Sequence, residues 1–76
     1  MNNARRSKIA EVVTSLNSLS MKIDRIMDEE QSGLDNIPEN LQGTERYQKS
    51  EEAVSALEDA MNSLEECIEH LETAAE

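Results

Sequence analysis

The chain has 76 residues, seven Lys or Arg against 17 Asp or Glu, a formal net charge of -10, one cysteine and one aromatic residue, Tyr47. A chain this short buries little core and needs a disulfide, a metal or a second subunit for stability. The single cysteine, Cys67, excludes a disulfide framework and points to a reducing, cytoplasmic setting, so oligomerisation is the expected stabiliser. The charge argues against a general surface for nucleic acid or anionic lipid. One aromatic residue makes no base-stacking platform.

The N-terminus carries Arg5, Arg6 and Lys8, but Glu11, Thr14, Ser15 and Asn17 break the apolar run that a secretory segment requires. No stretch approaches the roughly 20 apolar residues of a membrane span. Residues 4–32 read instead as a first amphipathic helix. Ile9, Val12, Leu16, Leu19, Ile23 and Ile26 recur at alternating spacings of three and four, and Val13 and Met27 widen the stripe. Asn2 or Asn3 suits the start as a cap. The register lapses at Glu29, Glu30 and Gln31, and Gly33 is the expected stop.

Residues 33–43 form the expected connection. Pro38 does not fit inside a continuous helix but suits the first turn of a short one. Asn36 followed by Glu39 has the spacing of a capping box, which predicts a helical turn over residues 37–42, ended by Gly43. Leu34, Ile37 and Leu41 are expected to fold back onto the open end of the helix pair.

The second helix is expected over residues 44–74, capped by Thr44. Its seam begins at Tyr47, passes Ser50, and continues through Val54, Leu57, Met61, Leu64, Ile68, Leu71 and Ala75. One flank of that seam is small: Ala53, Ala60, Cys67 and Ala74. The other is acidic: Glu58, Glu65 and Glu72. From Glu51 to Glu76 there are nine Asp or Glu and no Lys or Arg. Glu51, Glu52, Glu58, Asp59, Glu65, Glu66, Glu69 and Glu72 are the candidate partner-binding face. Carboxylates seven residues apart repeat every ~10.5 Å on a helix, so the stripe can imitate a phosphate backbone. It can equally be a solvated face that keeps a small bundle soluble.

Catalytic and metal-binding motifs are missing. Asp28, Glu29, Glu30, Asp35 and Glu39 form an acidic cluster, but the Glu-x-x-His pairs of two-metal bundles are absent, because Cys67 stands three before the only histidine, His70. Cys67 and His70 together offer at most two zinc ligands per chain. No cofactor is expected. His70 reads as an outward residue among carboxylates, and Cys67 as a small residue packed beside the seam.

The segment Asp28-Glu29-Glu30-Gln31, followed by Asp35-Asn36-Ile37-Pro38-Glu39-Asn40-Leu41-Gln42, resembles a pattern in small helical-hairpin proteins of bacteria and their phages. The resemblance covers roughly residues 20 to 75 and is most specific in the loop. It implies a phage or mobile-element origin rather than an activity. Asn36, Pro38 and Leu41 read as structural, and Glu39, Asn40 and Gln42 as exposed candidates for partner contact.

The expected fold is therefore all-α, an antiparallel two-helix hairpin that dimerises into a four-helix bundle through Ile9, Val12, Leu16, Leu19, Ile23, Ile26, Val54, Leu57, Met61, Leu64, Ile68 and Leu71. The alternative is a hairpin that completes its core on a foreign partner. The expected function is non-enzymatic: an acidic module that docks on a basic, nucleic-acid-handling or defence protein of the host and blocks it, with no direct contact to nucleic acid or membrane. The competing expectation is a structural dimerisation or adaptor module with no inhibitory role.

Overall fold

Two long helices lie antiparallel and joined by a short connection in the computed structural model, which describes residues 1–76. Helix α1 spans Asn3–Asp35 and helix α2 spans Glu45–Ala74, with a 3-10 turn at Glu39–Leu41 between them and no strand. The molecule measures 59 × 15 × 12 Å. Its smallest dimension is one helix diameter, about 10–12 Å, so the hairpin is a single layer. Each contact residue therefore has open space on two sides, and only Leu34 and Ile68 are buried, at 8% and 9% exposure.

Both helix starts are capped as their sequences require. Asn2 Oδ1 accepts from Arg5 N at 2.8 Å, and Thr44 Oγ1 accepts from Tyr47 N at 3.3 Å while donating to Leu41 O at 2.8 Å. The two bonds these side chains accept each satisfy one of the backbone donors that a helix start leaves free.

The stop at Gly33 is not where α1 ends. The helix runs through Gly33 to Asp35, and Asn36 is its C-cap, donating from its backbone N–H to Ser32 O at 3.1 Å. Gly33 has no positive φ. The physical reason lies one residue further on. Leu34 is the most buried side chain of α1, and burying a leucine contributes roughly 1.5–3 kcal/mol, more than the ~1 kcal/mol that glycine costs in a helix. A hydrogen bond from Gln31 Nε2 to Asp35 Oδ1, 2.8 Å, supports the same last turn.

The Asn36–Glu39 capping box does not form. Asn36 has helical backbone angles, φ -87° and ψ -2°, because it closes α1, whereas an N-cap needs extended ones. Pro38 precedes the 3-10 turn in extended geometry, with no side-chain cap, and its carbonyl accepts from Leu41 N at 2.9 Å. Of the three apolar loop residues, Leu34 is buried, Ile37 is half-buried and Leu41 stays 45% exposed.

The contact between the helices follows a different register on α1 from the one that runs through Val12, Leu19 and Ile26. The half-buried and buried positions of this register are Ile9, Val13, Leu16, Ser20, Ile23, Met27, Glu30 and Leu34, with Arg6 and Gln31 half-buried beside it. On α2 they are Tyr47, Ser50, Val54, Leu57, Met61, Leu64, Ile68, Leu71 and Ala75, with Ala53 half-buried on one flank. Where the apolar run lapses on both helices, Ser50 Oγ donates to Glu30 Oε1 and makes a part-buried polar layer. At the far end Arg6 Nε donates to Ala75 O at 3.1 Å. That contact sets a cation against the carbonyl end of α2, where the helix dipole is negative.

Candidate functional site

Two registers fix how the helices face each other: Arg6 meets Ala75, and Glu30 meets Ser50. The residues that flank these contacts then fall into two rows on each helix, and in an antiparallel pair like rows share a face. The grooves of the hairpin show the same grouping. Gly33 and Arg46 line one groove together. Gln31 lines another with Glu51 and Glu58, and Ala10 lines a third with Glu72.

One face is acidic. It carries Glu51, Glu58, Glu65 and Glu72 from α2 across from Ala10, Asn17, Asp24 and Gln31 of α1. Glu52, Asp59 and Glu66 continue it one position further out. Glu69 follows Ile68 on the outer side. All eight of these α2 carboxylates are exposed, and none stands in an ion pair. The one ion pair of the molecule is Lys49 Nζ to Glu45 Oε1, 3.3 Å, within the first turns of α2. Arg5, Arg6 and Lys8 share an end of the hairpin with Glu65 to Glu72 without pairing to them, since Arg6 is engaged by Ala75 O and Asn3 Oδ1. The acidic row faces solvent without an ion-pair partner.

The opposite face has no acidic row; its one carboxylate is Glu30, which accepts from Ser50 in the groove it lines with Gly33 and Arg46. From α1 it presents Arg5, Val12, Leu19, Ile26 and Gly33; from α2, Arg46, Ala53, Ala60, Cys67 and Ala74. Val12, Leu19 and Ile26 are 47%, 48% and 53% exposed. The sequence places them in one seam with Ile9, Leu16 and Ile23, through which the hairpin is expected to dimerise. The signal against that grouping is Val13 and Met27, seven residues either side of Ser20. They define a second register, and it is the one the helices use.

At the loop end, Glu39, Asn40 and Gln42 are all exposed. The 3-10 turn holds them beside a shallow groove lined by Asn36, Ile37, Pro38, Leu41, Thr44 and Arg46. Cys67 is exposed on the Leu19 face, and His70 is exposed on the outside of α2. No three His, Cys, Asp or Glu side chains gather in an arrangement that holds a metal ion. No helix is long and apolar enough to cross a membrane.

The fold and its surfaces define a helical hairpin with two chemically opposed faces. Compared with protein-family models, with curated proteins and with solved structures, the chain matches none.

Proposed function

We propose that this chain is a non-enzymatic protein-binding module. It pairs with a second copy to form a four-helix bundle and presents its carboxylate face to a basic protein partner. The observation that carries this reading is the separation of the two chemistries. Glu51, Glu58, Glu65 and Glu72 line one face without a single Lys or Arg, while the exposed Val12, Leu19 and Ile26 line the other. A row of like charge on a straight helix steers association with a surface of opposite charge and raises its rate. A protein that handles nucleic acid has such a surface, and the hairpin would occupy the groove its nucleic acid needs. With the loop resemblance, the reading becomes a phage or mobile-element inhibitor that docks on a host defence protein in the host cytoplasm, touching neither nucleic acid nor membrane.

The second reading is a structural dimerisation or adaptor module. It is favoured by the exposed apolar row alone, and it leaves the acidic face as a solubility feature.

The test is capture of partners from bacterial lysate on the tagged chain, at about 0.1 M and about 1 M salt, where the screening length falls from about 10 Å to about 3 Å. The inhibitor reading expects a nucleic-acid-handling protein retained at low salt only, and lost from the Glu58→Lys, Glu65→Lys, Glu72→Lys triple variant. Recovery of the chain alone under both conditions, or capture indifferent to the triple variant, returns the function to the structural module.

A further inference from the structure

The Leu19 face has a relief. The register set by Arg6 with Ala75 and Glu30 with Ser50 places Val12 beside Cys67, Leu19 beside Ala60 and Ile26 beside Ala53. At each of these levels α1 contributes the wider side chain and α2 the narrower one. At the loop end the order reverses, with Arg46 beside Gly33. The face is thus a ridge along α1 next to a groove along α2.

We infer that this face docks on the same face of a second copy, about a two-fold axis parallel to the helices, so that each α1 ridge lies in the other copy's α2 groove. This deepens the self-pairing reading above and rests on it.

Symmetry decides the arrangement. A two-fold axis parallel to the helices turns the second copy over and exchanges left with right, so α1 lies on the partner's α2. It involves no shift along the helices, so every residue meets its own level: Leu19 meets an alanine, Val12 meets the cysteine, and Arg46 meets Gly33. A Cβ at Gly33 would meet nothing within 4 Å, which leaves room for the arginine stem. The other two-fold axis that brings these faces together runs across the helices. It stacks α1 on α1, ridge on ridge, and leaves α2 facing α2 across alanines with a gap between them. Interiors are packed without such gaps, and a closed dimer needs one surface complementary to itself. Only the first axis supplies that. Both axes leave each of the four helices antiparallel to its neighbours, but this one sets small side chains against large ones at the 8–10 Å spacing of packed helices.

Charge selects the same face. Two copies at -10 each repel. Meeting through the Glu58 side would set carboxylate rows against each other. Meeting through the Leu19 side sets none, and it turns both acidic rows outward.

The test uses the full chain and three variants. Sedimentation velocity over a range of concentrations gives the oligomeric state, and mild oxidation followed by a non-reducing gel gives the contacts. The expected result is a dimer. A Val12→Cys, Cys67→Ser chain mixed with the unchanged chain forms an interchain disulfide to the unchanged chain's Cys67, which no intrachain bond can imitate. Leu19→Cys in a Cys67→Ser chain does not link to itself, because the two positions lie diagonally across the bundle. Leu19→Glu raises the dimer dissociation constant roughly a hundredfold or more, since two buried leucines are lost per dimer, while circular dichroism shows the monomer still helical. A chain that stays monomeric at all concentrations overturns both the inference and the self-pairing reading. A dimer in which the Val12→Cys, Cys67→Ser chain gives no link to the unchanged chain, or Leu19→Cys links to itself, or Leu19→Glu changes nothing, overturns the face or the axis and leaves self-pairing intact. A monomer that binds a foreign protein through Leu19 assigns the face to that partner and overturns the inference.

Discussion

The two broad faces of the hairpin share the same backbone and the same geometry, yet their chemistry has been sorted. Positions just after the seam on α2 hold Glu51, Glu58, Glu65 and Glu72; positions just before it hold Ala53, Ala60, Cys67 and Ala74. With 17 acidic residues in 76, a scatter made for solubility alone would set some of them on both faces. No acidic row runs along the Leu19 face, where Val12, Leu19 and Ile26 stay about half exposed. The contrast also corrects a habit of reading amphipathic helices as having one inside and one outside. In a single-layer hairpin there are three environments: the intrachain seam, an open apolar face and an open charged one. Only the first is settled by folding the monomer.

The sharpest way to break this comparison is to place the same charge in the seam and on the apolar face. Leu57 is half-buried between the helices, and Leu19 is 48% exposed. Leu57→Asp removes apolar burial and forces a carboxylate between two helices. It is expected to destabilise the hairpin by about 3 kcal/mol or more, with loss of helical circular dichroism at low urea. Leu19→Asp is expected to leave the monomer's helicity and urea midpoint within about 0.5 kcal/mol. Equal destabilisation by both, measured at concentrations where each chain is monomeric, would show that Leu19 belongs to the seam after all.

That pair of leucines also marks how far the sequence could be read. The periods of three and four in α1 and α2, with Pro38 and Gly43 between them, suffice for an all-α hairpin, and the α2 seam from Val54 to Ala75 sits as a unit between the helices. On α1 two interleaved registers carry apolar residues, through Val12, Leu19 and Ile26 or through Val13, Ser20 and Met27. The richer apolar row is not the one that faces α2. Hydrophobicity could not separate them, because the choice depends on which register α2 can mate with while Leu34 is buried and Glu30 reaches Ser50. The end of α1 was lost for a related reason: a buried leucine three-dimensionally removed from its glycine neighbour's preference decides where the helix stops. The acidic row was legible because charge needs no register to be counted. That both flanks share faces across the hairpin was not, since it requires the antiparallel alignment.

A gentler probe acts on the charged face alone. Near the end of α2, Glu65, Glu69, Glu72 and Glu76 follow one another at spacings of three and four with no cation among them. Like charges at these spacings each cost a few tenths of a kcal/mol. Raising salt from about 0.1 M to about 1 M screens them, so the hairpin should gain roughly 1 kcal/mol of stability in thermal or urea melts. Capture of a basic partner should weaken over the same range. Opposite salt responses for folding and for binding are the signature of a face kept acidic at the expense of the fold. If salt leaves the melting curve unmoved in chloride and in fluoride alike, the row is too well hydrated to strain the helix.

The smallest expected effect separates two accounts of how α1 ends. Had Gly33 been a left-handed helix stop, Gly33→Ala would destabilise the hairpin by roughly 1 kcal/mol, the cost of forcing a Cβ into that conformation. In the structure Gly33 lies inside α1 with no positive φ, and a Cβ there meets nothing within 4 Å. Alanine is then the better helix residue and also reduces the freedom of the unfolded chain. The expected outcome is stabilisation by about 0.5–1 kcal/mol, read as an upward shift of the urea midpoint at unchanged slope. The sign of that shift, more than its size, decides whether the burial of Leu34 holds the last turn of α1 against its glycine.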